Sequence, residues 1–99
     1  MATEPIVLIG QVDSAEIRVP LTEGQHLVGR AAACDLVLAS SSVSRRHAAL
    51  LCNGGDVVIE DLGSRNGTRV NGRLIDAPTA LWPGDTVAVH QPTYLCYPP

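Results

Sequence analysis

Two short segments of this chain concentrate side chains able to hold a phosphate dianion. The first reads Ser42-Val43-Ser44-Arg45-Arg46-His47, the second Asp61-Leu62-Gly63-Ser64-Arg65-Asn66-Gly67-Thr68. Each sets arginine, hydroxyl and amide donors between apolar runs. A guanidinium offers a planar fork of N–H donors that fits phosphate oxygens, and bonds to an ionised acceptor are stronger than neutral ones. Arg30, Arg45, Arg46 and Arg65 fall at expected strand ends and loops, where separate turns can converge. Other chemistries are poorly served. Ser44 lies near His47, yet no Gly-x-Ser-x-Gly elbow surrounds it and no triad spacing emerges. His26, His47 and His90 are too widely separated for the short, regular spacing of metal ligands. With no paired carboxylates either, neither an enzyme nor a metal site is expected, and no cofactor.

Such groups need a scaffold, and composition bounds it. The chain has 99 residues, 45% hydrophobic and 17% charged, with 9 Gly and 7 Pro. That length holds one domain with its own core, expected over 1–99, in a turn-rich globular chain. Its net charge of −3 argues against a broad nucleic-acid surface, and scarce aromatics argue against base stacking. All 7 basic residues are arginine, and their placement says more than their number. Cys34, Cys52 and Cys96 are odd in number, sit in apolar surroundings and form no Cys-x-x-Cys pair. Buried thiols in a reducing cytoplasm are therefore expected, not a disulfide framework or a zinc site. The apolar run from Pro5 to Gly10 is too short to span a bilayer and follows no basic residues, so neither signal sequence nor membrane partner is expected.

Short segments of β character recur along the whole length. They are expected at 6–12, 16–21, 25–30, 35–38, 47–52, 56–60, 68–71, 73–75, 86–90 and 93–97. Within the second, Ile17 and Val19 face one way, Glu16 and Arg18 the other. The only helix-friendly patch, Ala31 to Ala33, is too short to stand alone. Asn53-Gly54, Asn66-Gly67 and Asn71-Gly72 favour the positive φ angles of tight hairpin turns. An antiparallel sandwich or small barrel follows, filled by Val, Ile, Leu and Ala because Phe is absent. Trp82, before Pro83-Gly84-Asp85, is expected at a corner of that core.

Taken in order, Gly29-Arg30, Ser44-Arg45-Arg46-His47, Asp61-Leu62-Gly63-Ser64-Arg65-Asn66-Gly67-Thr68 with Val70-Asn71-Gly72, and Gly84-Asp85 resemble the forkhead-associated (FHA) domain. The likeness runs from about Gln25 to the end. It implies an all-β fold, a two-sheet, mostly antiparallel sandwich of about 10–11 short strands, whose loops at one end bind phosphothreonine peptides. Carried over by position, Arg30 contacts the phosphate or braces the loop that does, Ser44 donates its hydroxyl, and Arg45 adds a bond through side chain or backbone. Arg65 lies beside the phosphate, where many members carry a small hydroxyl residue. Asn66 bonds the peptide main chain next to the phosphothreonine, and His47 holds the loops in place. Ser42, small and neutral, argues against choosing an acidic third residue after the phosphothreonine. His90 stands where glycine frequently ends a strand. The expected partner is a phosphothreonine-containing protein or peptide, bound by a monomer. The alternative is a phospho-independent interaction or assembly module on the same fold.

Overall fold

Short apolar or alternating runs bounded by turn residues lay down most of the strands in the computed structural model, which describes residues 6–12, 15–90 and 93–97. In chain order they are β1 (Ile6–Val12), β2 (Ala15–Leu21), β3 (Gly24–Gly29), β4 (Leu36–Val37), β5 (Ala48–Asn53), β6 (Asp56–Asp61), β7 (Arg69–Val70), β8 (Arg73–Leu74), β9 (Thr79–Leu81), β10 (Thr86–His90) and β11 (Thr93–Cys96). Six form one sheet, ordered β2-β1-β11-β10-β7-β8, and five the other, ordered β4-β3-β5-β6-β9. Every pairing is antiparallel except that of β3 with β4. The all-β, two-sheet expectation holds.

Between the sheets lies an aliphatic core. Leu8, Leu50, Ile59 and Leu95 are among its largest fully buried members, with Val28, Leu38, Val43, Val57 and Val87 around them. Ala48, Leu50 and Cys52 of β5 and Val57 and Ile59 of β6 alternate inward, as a strand with one buried face requires. Ile17 and Val19 pack against the core while Glu16 and Arg18 stay exposed. Gly10 is set by close packing: a Cβ there would fall 2.7 Å from Ile17 and 2.8 Å from Leu95. Cys34 and Cys52 are buried free thiols, whereas the Cys96 and His90 side chains lie outside the described residues.

Three expectations need correction. β9 was not among the expected strands, because Thr-Ala-Leu is too short to show a period. Its identity comes from pairing with β6, Val57 opposite Leu81 and Ile59 opposite Thr79. Trp82 is 64% exposed. Leu81 takes the inward position, so the next side chain turns out, and the backbone of Trp82 closes a turn against Asp85 through bonds of 2.8 and 3.0 Å. Finally, two Asn-Gly pairs mark hairpins and one does not. Asn71 (φ 52) and Gly72 (φ 82) form the β7–β8 turn, and the β5–β6 turn is shifted one residue, onto Gly54 and Gly55. Asn66-Gly67 instead lies between β6 of one sheet and β7 of the other, so it belongs to a crossing loop.

Sheet topology explains why the motif segments meet. Val28 near the end of β3 pairs with Ala48 at the start of β5, which pairs with Asp61 at the end of β6. Antiparallel pairing therefore puts Gly29-Arg30, the loop before β5 and the loop after β6 at one end of the sandwich.

Candidate functional site

The loop before β5 is held against the end of β3 by backbone bonds. Arg30 N–H donates to the Ser44 carbonyl at 3.0 Å and Ala31 N–H to the Arg45 carbonyl at 3.1 Å. The Cys34 thiol also donates to the Arg45 carbonyl, at 3.2 Å. Gly29 makes this approach possible, for a Cβ there would lie 2.8 Å from the Arg45 carbonyl carbon and closer still to its oxygen. The glycine before Arg30 thus serves close contact, not a positive φ.

His47 joins the two loops. It is fully buried, Nδ1 accepts the Ser44 N–H at 3.2 Å, and Nε2 donates to the Gly67 carbonyl at 2.8 Å. Those two bonds require the neutral ring with its proton on Nε2. The loop-holding role expected of His47 is what the geometry shows.

Ser44 and Asn66 add two further ties. The Ser44 Oγ accepts the Arg65 N–H at 2.9 Å, and Asn66 Nδ2 donates to the Ser42 carbonyl at 2.7 Å. Each side chain keeps unused capacity: Ser44 its own hydroxyl proton, Asn66 its Oδ1. Arg30 is oriented by its Nε, which donates to the Val43 carbonyl at 3.1 Å and leaves the terminal nitrogens of the fork for another acceptor.

These residues surround an open groove of about 230 Å³, lined by Arg30, Ser41, Ser42, Val43, Ser44, Arg45 and Arg65. Of the five residues singled out from sequence, Arg30, Ser44, Arg45 and Arg65 line the groove, and Asn66 adjoins it through its bond to Ser42. Arg46 is exposed and outside the lining. No carboxylate neutralises the groove, since the one ion pair among the described residues joins exposed Arg18 and Glu16 at 3.8 Å. Among those residues no group of three or more His, Cys, Asp or Glu could hold a metal ion, and no helix is long and apolar enough to cross a membrane.

Sequence reasoning missed the hub of the second loop. Asp61 Oδ1 accepts the hydroxyls of Ser64 and Thr68, the latter at 2.8 Å, and Oδ2 accepts the N–H groups of Gly63 and Ser64 at 3.0 and 3.1 Å. Burial works against its charge, but these donated bonds outweigh burial and hold the carboxyl below its ordinary pKa. Thr68, fully buried, is the second missed residue. A signal was present: Asp-x-Gly-Ser at a strand end reads as a side-chain-capped turn.

A two-layer β-sandwich with arginine and hydroxyl groups gathered on loops at one end defines a class of anion-receptive binding module. The FHA domain model matches residues 26–90, and the chain belongs to that family. The FHA domain of CT664 from Chlamydia trachomatis superposes with a TM-score of 0.85 at 32% identity, covering 94% of this chain and 95% of that one. The transcriptional regulatory protein EmbR of Mycobacterium tuberculosis is 37% identical over 70 residues, which is 71% of this chain and 18% of EmbR. EmbR in complex with a low affinity phosphopeptide matches with a TM-score of 0.81 at 29% identity, over 94% of this chain and 24% of that one. A structure solved for phosphothreonine-dependent FHA domain interactions gives a TM-score of 0.81 at 27% identity, covering 91% and 93%.

Proposed function

We propose that this chain is a non-enzymatic module that recognises phosphothreonine in a partner modified by a serine/threonine kinase. One observation carries the reading: the Ser44 oxygen is occupied by the Arg65 N–H, so its proton is free for an acceptor in a groove flanked by Arg30, Arg45 and Arg65. A phosphothreonine supplies such acceptors with a charge of about −1.5 to −2. In this assignment Arg30, Ser44, Arg45 and Arg65 meet the phosphate, and Asn66, anchored to Ser42, presents Oδ1 to a peptide N–H. The phosphopeptide complex of EmbR supports the ligand class.

Two or three charge-assisted bonds at roughly 1.5–3 kcal/mol each and a few main-chain bonds at about 1 kcal/mol each, less the ordering of a flexible peptide, give affinity on the order of micromolar, about −8 kcal/mol. That suits reversible recruitment. The test titrates one peptide in phosphothreonine, phosphoserine and unmodified forms against the protein. Binding of the phosphothreonine form alone or most tightly is expected, and equal binding of all three refutes the reading.

A further inference from the structure

The groove holds more positive charge than one phosphate neutralises. Three guanidiniums, of Arg30, Arg45 and Arg65, line it, all exposed and none ion-paired. A single phosphothreonine brings at most about two negative charges. The three cations do not occupy equivalent positions. Arg30 is aimed by its bond to Val43 and lies on the same bank as Ser44, whose carbonyl it contacts. Arg45 follows Ser44 on that bank, its carbonyl fixed by Ala31 and Cys34. Arg65 comes from the opposite loop. Its N–H is bonded to the Ser44 hydroxyl oxygen, so its Cα is fixed beside the phosphate seat while its long side chain stays untethered. It also immediately precedes Asn66, the residue placed to hold the peptide backbone.

We infer that Arg65 selects peptides carrying a second anionic group close to the phosphothreonine, either a second phosphate or a carboxylate side chain. The inference rests on the phosphothreonine reading of the groove. A second anion removes the positive charge left over once the phosphate is held, and gives the untethered Arg65 fork, which has no ion-pair partner among the described residues, an acceptor beside that phosphate. Selection of this kind does not run through Ser42, which is neutral and whose carbonyl is already bonded to Asn66. The source of the second anion is open to direct comparison, because a guanidinium fork takes a phosphate and a carboxylate through the same paired N–H geometry.

The experiment titrates the whole chain with four peptides of common backbone: one phosphothreonine with neutral flanks, the same with flanking glutamates, the same with a second phosphothreonine, and the glutamate peptide without phosphate. Each is measured on wild type and on Arg65→Gln at low ionic strength. For wild type, at least one doubly anionic phosphopeptide binds about two- to fivefold more tightly than the neutral-flank one, and the unphosphorylated peptide binds far more weakly. In Arg65→Gln the ratio between doubly and singly anionic peptides falls towards one, whatever the variant's absolute affinity. The glutamate and second-phosphate arms then identify the preferred anion. Equal wild-type affinity for neutral-flank and doubly anionic phosphopeptides overturns the inference and leaves phosphothreonine recognition standing. A ratio that survives Arg65→Gln overturns the assignment to Arg65, and failure of every phosphopeptide to bind overturns both readings.

Discussion

Gly29→Ala should damage the groove without touching any group that faces a ligand. The added methyl would lie 2.8 Å from the Arg45 carbonyl carbon, closer to its oxygen, and 3.0 Å from the Cys34 sulfur. Backbone stands in the way, not the tip of a flexible side chain, so the loop must move. The Arg45 carbonyl accepts bonds from Ala31 N–H and the Cys34 thiol, and the adjacent Ser44 carbonyl accepts one from Arg30 N–H. Losing one or two neutral bonds at about 1 kcal/mol each, with about 1–3 kcal/mol of overpacking, gives a stability loss of about 2–5 kcal/mol. The same displacement moves Ser44 away from Arg30 and Arg65, so phosphopeptide affinity should fall at least about tenfold, or 1.4 kcal/mol. Urea unfolding followed by circular dichroism reads the first quantity, and titration with a phosphothreonine peptide the second. Gly54→Ala is the control: it has a φ of +61°, nothing within 4 Å of a built Cβ, and a place in the β5–β6 turn at the other end of the sheet. It should lose about 1–2 kcal/mol to left-handed backbone strain and keep its peptide affinity. If Gly29→Ala behaves like Gly54→Ala in both assays, close approach of the Arg45 backbone is not what seats the loop.

Arg30→Ala and Ser44→Ala should each weaken phosphothreonine-peptide binding by at least about 1.5 kcal/mol, near tenfold, with the protein still folded by circular dichroism. Full-strength binding by both variants discredits the assigned groove. His47→Ala strands the Ser44 N–H and the Gly67 carbonyl and opens a buried cavity, so thermal or urea unfolding should show a loss of about 3 kcal/mol or more; a change under about 0.5 kcal/mol contradicts the bridging role. Asp61 has its pKa lowered by folding, so its contribution is fully present above the unfolded carboxylate value of about 3.9 and disappears as pH falls through the lower folded value. Stability of Asp61→Asn should accordingly drop less than that of wild type between about pH 6 and pH 3, and identical drops in paired urea titrations count against the hub.

Much of this molecule is legible without coordinates, for local reasons. A short apolar run places β5, inward Val57 and Ile59 at alternate positions place β6, and Asn71-Gly72 marks its hairpin because its backbone needs two positive φ angles. Arginine, serine and asparagine in the two loops disclose anion chemistry through side-chain type alone. Features that depend on a residue and its near neighbours are therefore readable from the chain alone. Tertiary structure decided the rest, because those features arise from pairings between distant segments. β9 exists because β6 offers it an edge, and Asn66-Gly67 is a crossing loop because β6 and β7 belong to different sheets. Gly29 is needed because the Arg45 backbone passes over it, and Asp61 is a hub because Thr68 is brought back to it. The groove itself exists because antiparallel register sets the end of β3, the start of β5 and the end of β6 side by side, a relation carried by the pairing of the strands and by no one of them alone.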